Sequence, residues 1–256
     1  MDTATLFSLS GRTALITGGS RGIGRMIAAG YVRSGVRVYI CARKAEACDA
    51  TAKELSEFGH CVSLPADLST AAGIERLVED YRTHESTLDI LVNNAGAAWG
   101  APFEEFPESG WDKVMHLNAK TPFFLTQALK PELEAAAGEH PAKVINIASI
   151  DGISLNAMES YSYHASKAGL IHLTRRMALR LIEDGIVVSA IAPGAFASNM
   201  NREARDRAEE VEKQIPSGRI GTDEDMAAAA IYLASRAGDY VVGSTLVVDG
   251  GASDAR

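Results

Sequence analysis

Residues Thr13 to Gly24 read TALITGGSRGIG, an apolar run that ends in glycines and opens at once into a helical pattern, Ile23 to Ser34. Glycines at such a junction let the backbone turn tightly and approach a ligand, while the unsatisfied N–H groups of the helix attract a pyrophosphate. A second apolar stretch, Arg37 to Cys41, completes a strand-turn-helix-strand unit, the context a nucleotide-binding turn requires. On this reading Gly18, Ser20, Arg21, Gly22, Ile23 and Gly24 form a phosphate cradle.

The same alternation continues along the chain. Strands are expected at Thr13 to Thr17, Arg37 to Cys41, Cys61 to Leu64, Ile90 to Asn93, Lys143 to Ala148, Val187 to Ala192 and Thr245 to Val248. Helices are expected at Ile23 to Ser34, Glu46 to Phe58, Ala71 to Arg82, Glu108 to Leu133, Tyr161 to Glu183 and Asp223 to Ala234. Strands alternating with helices of crossover length imply an α/β fold: one doubly wound (Rossmann) parallel sheet of seven strands with helices on both faces. Neither a repeat nor a compositional break divides the 256 residues, so one domain is expected over 1–256. The charged stretch from Ala195 to Gly218 interrupts the alternation just after a strand. That is where α/β proteins place ligand-covering elements, so it reads as a substrate lid or, failing that, a solvated surface helix.

Composition removes other classes. Hydrophobic residues at 46% and charged ones at 23% exclude collagen-like and disordered chains. A net charge of −8 disfavours a nucleic-acid partner, and no apolar run is long enough to span a bilayer. The segment MDTATLFSLSGR lacks the features of a signal peptide, so a cytoplasmic protein is expected. Cys41, Cys48 and Cys61 match no zinc spacing and are odd in number, which suits free thiols, with no metal site expected.

The end of the second strand bears on the choice of nucleotide. An NAD-preferring fold usually places a carboxylate there for the ribose 2′-hydroxyl; this chain reads Cys41-Ala42-Arg43-Lys44. Arg43, with Arg21 in the turn, offers charge-assisted donors for a 2′-phosphate, so NADPH is the expected cofactor.

With Thr17 to Gly24, Asp67-Leu68, Asn93-Asn94-Ala95-Gly96, Asn118, Ser149, Tyr163-x-x-x-Lys167, Pro193-Gly194 and Asp249-Gly250-Gly251 in this order, the chain resembles the short-chain dehydrogenase/reductase family over nearly its whole length. The resemblance implies that Asp67 and Leu68 contact adenine, that Asn94, Ala95 and Gly96 support the cofactor, and that Pro193, Gly194, Phe196, Ser198 and Met200 border the nicotinamide end. It further implies that Lys167 grips the nicotinamide ribose and, with Asn118, holds a proton-relaying water. A homotetramer is the family's common assembly, with Ile171, Leu173 and Met177 as candidate interface residues or, equally, core.

Tyr163 and Lys167 make chemical sense without the resemblance. Four residues along a helix advance about 400°, which brings both side chains to one face. A nearby ammonium is expected to lower the phenol's pKa toward a usable acid, with the Ser149 hydroxyl donating to the same substrate oxygen. Tyr161 lacks a cation four residues on and reads as a packing residue. His164 and His172 have no liganding partner at useful spacing and read as non-catalytic. Ser149 and Tyr163 stand fourteen positions apart, about one residue more than in many family members, which lengthens the loop from Ile150 to Ser160.

Within the family the pattern is most similar to NADPH-dependent 3-oxoacyl reductases of the rhamnolipid-biosynthesis type, on GGSRGIG, Cys41-Ala42-Arg43, Tyr161-Ser162-Tyr163 and PGAFASNM. The expected reaction is reduction of a ketone or acyl thioester to a secondary alcohol. Alternatives are NAD(P)-dependent oxidation of a steroid, polyol or aromatic alcohol, and a non-catalytic nucleotide sensor. The segments Ala136 to Pro141 and Glu183-Asp184 are poor in cations. An acidic carrier protein would find little to dock on there, which leaves a coenzyme A thioester or a free apolar ketone. Trp99, Phe103, Phe106, Met158, Phe196 and Met200 are candidate apolar pocket walls, or core.

Overall fold

The seven strands are β1 (Thr13–Thr17), β2 (Arg37–Cys41), β3 (Cys61–Ser63), β4 (Ile90–Asn93), β5 (Ala142–Ile147), β6 (Ile186–Pro193) and β7 (Thr245–Val248). In the computed structural model, which describes residues 2–198 and 201–255, they form one sheet in the order β3-β2-β1-β4-β5-β6-β7, every pair parallel. Parallel strands need crossovers, and helices supply them: α1 (Thr3–Phe7) precedes the sheet, followed by α2 (Gly22–Arg33), α3 (Ala45–Leu55) and α4 (Ala71–Arg82). Two apolar layers result. One packs α2 and its neighbours around Ile16, Ile27, Tyr31 and Ile40; the other gathers Leu15, Leu77, Leu91, Leu125 and Val188. A sheet covered on both faces explains why the strands read as continuous apolar runs and not as alternating ones.

The long helix expected from Glu108 to Leu133 is not continuous. It is divided into α5 (Glu108–Met115), a π-helical turn (His116–Lys120), α6 (Thr121–Ala128) and α7 (Lys130–Ala136). Pro122 and Pro131 each lie in the first turn of a segment, where the missing N–H costs nothing but a preceding helix cannot run through undisturbed. After β5 come α8 (Tyr161–Leu181), then β6, α9 (Arg202–Asp206), α10 (Ala208–Glu212) and α11 (Asp223–Ala234). The 195–218 segment thus holds two short helices. Ile171 and Met177 are buried within the chain, so of the two readings the sequence leaves open they take the core.

Lys143 on β5 is 1% exposed and its Nζ lies 2.7 Å from Asp239. Periodicity gave no sign of a buried cation; the ion pair with a residue far along the chain is what makes it tolerable.

Candidate active site

Strand order reverses between β1 and β4, and at such a switch point the loops beyond the carboxyl ends of the strands diverge to leave a crevice. The glycine turn follows β1 there. Gly18 has φ +66° and Gly22 φ +52°, a region L side chains seldom occupy. A Cβ at Gly24 would sit 2.3 Å from the Gly18 carbonyl oxygen. The turn is clamped by Asn94, whose Nδ2 donates to the Thr17 and Gly18 carbonyls at 2.8 and 3.2 Å. Thr17 Oγ1 in turn accepts from the Asn94 and Ala95 N–H groups at 2.9 Å each. Ser20 O accepts from Thr51 Oγ1. The helix that begins here, α2, carries no side-chain cap at Arg21, so its first N–H groups are available to an anion. A glycine-shaped, uncapped helix start fits a dinucleotide pyrophosphate.

Arg21 and Arg43 are exposed beside this cradle. Asp67 is held below the ordinary carboxylate range mainly by hydrogen bonds from Ser69, and secondarily by Arg43. Leu68 is buried, with its carbonyl accepting from Thr121 Oγ1 at 2.8 Å. A Cβ on Gly194 would meet Asp249, and one on Gly96 would stand 3.2 Å from Asn118 Oδ1. The Phe196 ring is 2% exposed and packs on Gly221. Ser198 Oγ accepts from the Asn201 N–H, and the Ser198 Cβ lies near Gly22, which joins the start of the 195–218 segment to the cradle. Met200 lies outside the described residues.

Ser149 follows β5, while Tyr163 and Lys167 come from the first two turns of α8. Asn118 comes from the π-helical turn. Inserting one residue per turn re-aims a side chain, and such turns recur at functional sites; an asparagine inside an otherwise regular helical pattern, just before a proline, was the available sequence signal. Asn118 is 1% exposed; its Oδ1 accepts from the Ala97 N–H at 2.8 Å, and its Nδ2 donates to the Ala97 carbonyl and Ser166 Oγ at 2.9 and 3.0 Å. It binds the loop after β4 to α8. Lys167 Nζ donates to the Ile147 carbonyl at 2.7 Å and stands 5.6 Å from the centre of the Tyr163 ring.

The electrostatics differ from the expectation. Burial pushes the Tyr163 phenol up to about 12, with Ser149 pulling it back and Asp151 adding to the rise. Burial pulls Lys167 down to about 8, with Asp151 opposing. Desolvation of both groups outweighs the attraction between ammonium and phenolate that the helical spacing suggested. A consequence for stability follows from the sign. Between about pH 8 and the ordinary lysine range the unfolded chain holds the Lys167 proton and the folded one does not, so stability should rise with pH across that window. Lys167→Met should lose that rise in denaturant titrations at graded pH, and an unaltered slope would contradict the burial account.

Phe103, Phe106, Trp111 and Tyr161 line an open basin of about 490 Å³ with Pro107 and Glu108. Two residues on a helix point roughly 200° apart, so Tyr161 and Tyr163 face different sides of α8. Phe103 is 70% exposed, so it is not part of the core. His172, Arg175 and Arg176 are exposed along α8 and form a strip of cationic side-chain types.

Residues 18–253 match the family model described as enoyl-(acyl carrier protein) reductase. A rhamnolipids biosynthesis 3-oxoacyl-[acyl-carrier-protein] reductase of Pseudomonas aeruginosa is 50% identical over 249 residues, 96% of this chain and 97% of that one. The chain is a short-chain dehydrogenase/reductase. Another member, a sorbitol dehydrogenase of Cereibacter sphaeroides, is 38% identical, covering 95% of this chain and 98% of its own length. Among solved structures, the Pseudomonas aeruginosa RhlG/NADP active-site complex superposes with a TM-score of 0.94 at 49% identity, over 97% of this chain and 99% of that chain. A gluconate 5-dehydrogenase from Burkholderia cenocepacia in complex with NADP and tartrate gives 0.91 at 33% identity, over the full length of both.

Proposed function

We propose that this short-chain reductase uses NADPH to reduce the ketone of a 3-oxoacyl thioester, or a related carbonyl, to a secondary alcohol. The observation that carries the reading is Lys167 Nζ standing 5.6 Å from the centre of the Tyr163 ring, with Ser149 at the end of β5. The cofactor would lie on Gly18, Ser20, Arg21, Gly22, Ile23, Gly24 and Asn94 to Gly96, with Arg43 at the 2′-phosphate, and when bound it supplies the hydride. Tyr163 gives its proton to the carbonyl oxygen, and its raised pKa keeps that proton in place at neutral pH. Ser149 donates a hydrogen bond to the same oxygen, so developing negative charge meets two prepositioned donors. Lys167, Asn118, Pro193, Gly194, Phe196 and Ser198 retain the supporting roles the resemblance implies, and 195–218 is the segment proposed to cover the substrate.

Relatives acting on sorbitol and gluconate support a second reading, oxidation of a polyol by the same residues. Following NADPH absorbance with 3-oxoacyl-coenzyme A esters of graded length, cyclic ketones and polyols separates the two. A preference for polyols with NAD(P)⁺ would replace the first reading by the second. The α8 strip keeps a carrier-protein thioester in the panel, since complementary charge steers an acidic partner.

Arg43→Asp tests the cofactor assignment. Removing a charge-assisted donor and adding a repelling carboxylate should lower the NADPH-over-NADH preference by about 10- to 100-fold. An unchanged ratio of kcat/KM values would refute the basic strand end.

A cytoplasmic location is part of the proposal, supported by three buried free thiols, which suit a reducing compartment. So is a homotetramer, supported by uncovered Trp111, Phe123, Phe124 and Leu179 on α5, α6 and α8. Sedimentation of a 27.1 kDa species at micromolar concentration would remove the assembly.

A further inference from the structure

Asn93 and Asn146 stand opposite each other in the register of β4 and β5. By strand alternation from Leu91 and Val144, their side chains enter the apolar layer that also holds Leu125 and Met177. Amides in such a layer are costly unless they are hydrogen-bonded. Asn93 Nδ2 donates to Asn146 Oδ1 at 2.9 Å, and each asparagine is joined to a threonine on one of the helices above. Asn93 Nδ2 also donates to Thr126 Oγ1 on α6 at 3.2 Å, and Asn146 Nδ2 to Thr174 Oγ1 on α8 at 2.9 Å. All four residues are buried. Each threonine gives its own proton to its helix, Thr126 to the Pro122 carbonyl at 2.7 Å and Thr174 to the Leu170 carbonyl at 2.8 Å. A hydroxyl has one proton to donate, so both threonines accept from the amides, and the direction of the whole chain is fixed.

These residues connect the elements that carry the site. Ser149 follows Asn146 by three residues, and Asn94, which clamps the glycine turn, follows Asn93 directly. The helix α6 continues the π turn that holds Asn118, and α8 carries Tyr163 and Lys167. Lys167 and Thr174 are seven residues apart, two helical turns, and so lie on one face of α8. Both reach β5, Lys167 at the Ile147 carbonyl and Thr174 at Asn146. Apolar packing between a helix and a sheet is non-directional and tolerates sliding, whereas buried hydrogen bonds hold to narrow limits of distance and angle. We propose that Asn93, Asn146 and Thr174 are positioning residues of the reductase: the amide chain sets the register of α8 on β5, and thereby the approach of Tyr163 to Ser149. The proposal rests on the ketone-reductase reading.

Thr174→Val keeps the branched shape and removes the acceptor of the Asn146 amide. Thr174 lies eleven residues from Tyr163, about 16 Å along α8, so an effect on the phenol travels through the helix and not by contact. For ketone reduction, kcat counted per NADPH-binding site should fall about 10- to 100-fold, the usual result of a small misplacement of reacting groups. KM for NADPH should stay within about twofold, and Thr174→Ser, which restores the hydroxyl, should recover most of kcat. A merely structural role would lower Tm and the yield of binding sites but leave kcat per site at the wild-type value, and that result overturns the proposal. Thr126→Val interrupts the same chain from α6, lowers kcat in the same way and serves where Thr174→Val does not fold. The loss in the double variant should be smaller than the product of the two single losses, because one chain is broken twice; losses that multiply in full overturn the common chain. A further readout needs neither substrate nor cofactor. In protein carrying isotope-labelled tyrosine, the Tyr163 ring resonance, assigned by its loss in Tyr163→Phe, should shift in Thr174→Val and return in Thr174→Ser. An unmoved resonance overturns the positioning role. If the wild type reduces no ketone, the functional reading falls, and the ring resonance still decides whether the amide chain places Tyr163.

Discussion

Tyr163→Phe should lower kcat for ketone reduction by about 10²- to 10⁴-fold, the usual worth of a placed general acid. It should leave NADPH affinity within a few-fold of the wild type. The ring continues to fill its half-buried place on α8, and the lost atom is the one proposed to hand a proton to the substrate oxygen. Ser149 alone would then face the developing alkoxide, a hydrogen-bond donor without a proton to release. Because the effect falls on the transition state, kcat and kcat/KM should drop together. Equal turnover by variant and wild type would remove Tyr163 from the reaction. A fall confined to NADPH binding would recast it as a cofactor contact.

Gly24→Ala should have the largest effect on the cradle. The added methyl would stand 2.3 Å from the Gly18 carbonyl oxygen and 2.4 Å from Asn94 Nδ2. It would push against the backbone of the turn and the side chain that clamps it to β4. Overpacking of this kind costs about 1 to 3 kcal/mol, which for a chain of this length lowers Tm by roughly 2 to 12 °C. Displacing the turn would also carry the α2 N–H groups away from any bound pyrophosphate, so NADPH affinity should fall at least about tenfold. Calorimetry with and without NADPH checks both parts. Unchanged Tm and unchanged affinity would mean that the close approach of turn and helix has no energetic content.

Much of this site is legible in the sequence. The strand limits follow from apolar runs bounded by turn residues, and the TALITGGSRGIG junction announces its turn because glycine is what a positive φ and a close backbone approach demand. The Tyr163 and Lys167 pairing follows from helical pitch. The break between α5 and α6 was less legible, since Asn118 gains its meaning from a π turn whose partners, Ala97 and Ser166, come from a distant loop and from α8. Phe103 and Phe106 read equally well as core or crevice, and only packing put them with Trp111 and Tyr161 in an open basin.

Sequence by itself determined the parallel α/β architecture, the glycine turn after β1, the basic end of β2 and the placing of Tyr163 and Lys167 on one helix face. These depend on local periodicity and on conformations that few residue types can adopt. Tertiary structure decided which way the phenol and the amine titrate. The shift of a pKa depends on how much water distant elements exclude and which charges they bring near, and neither quantity is written in the spacing of residues along a helix.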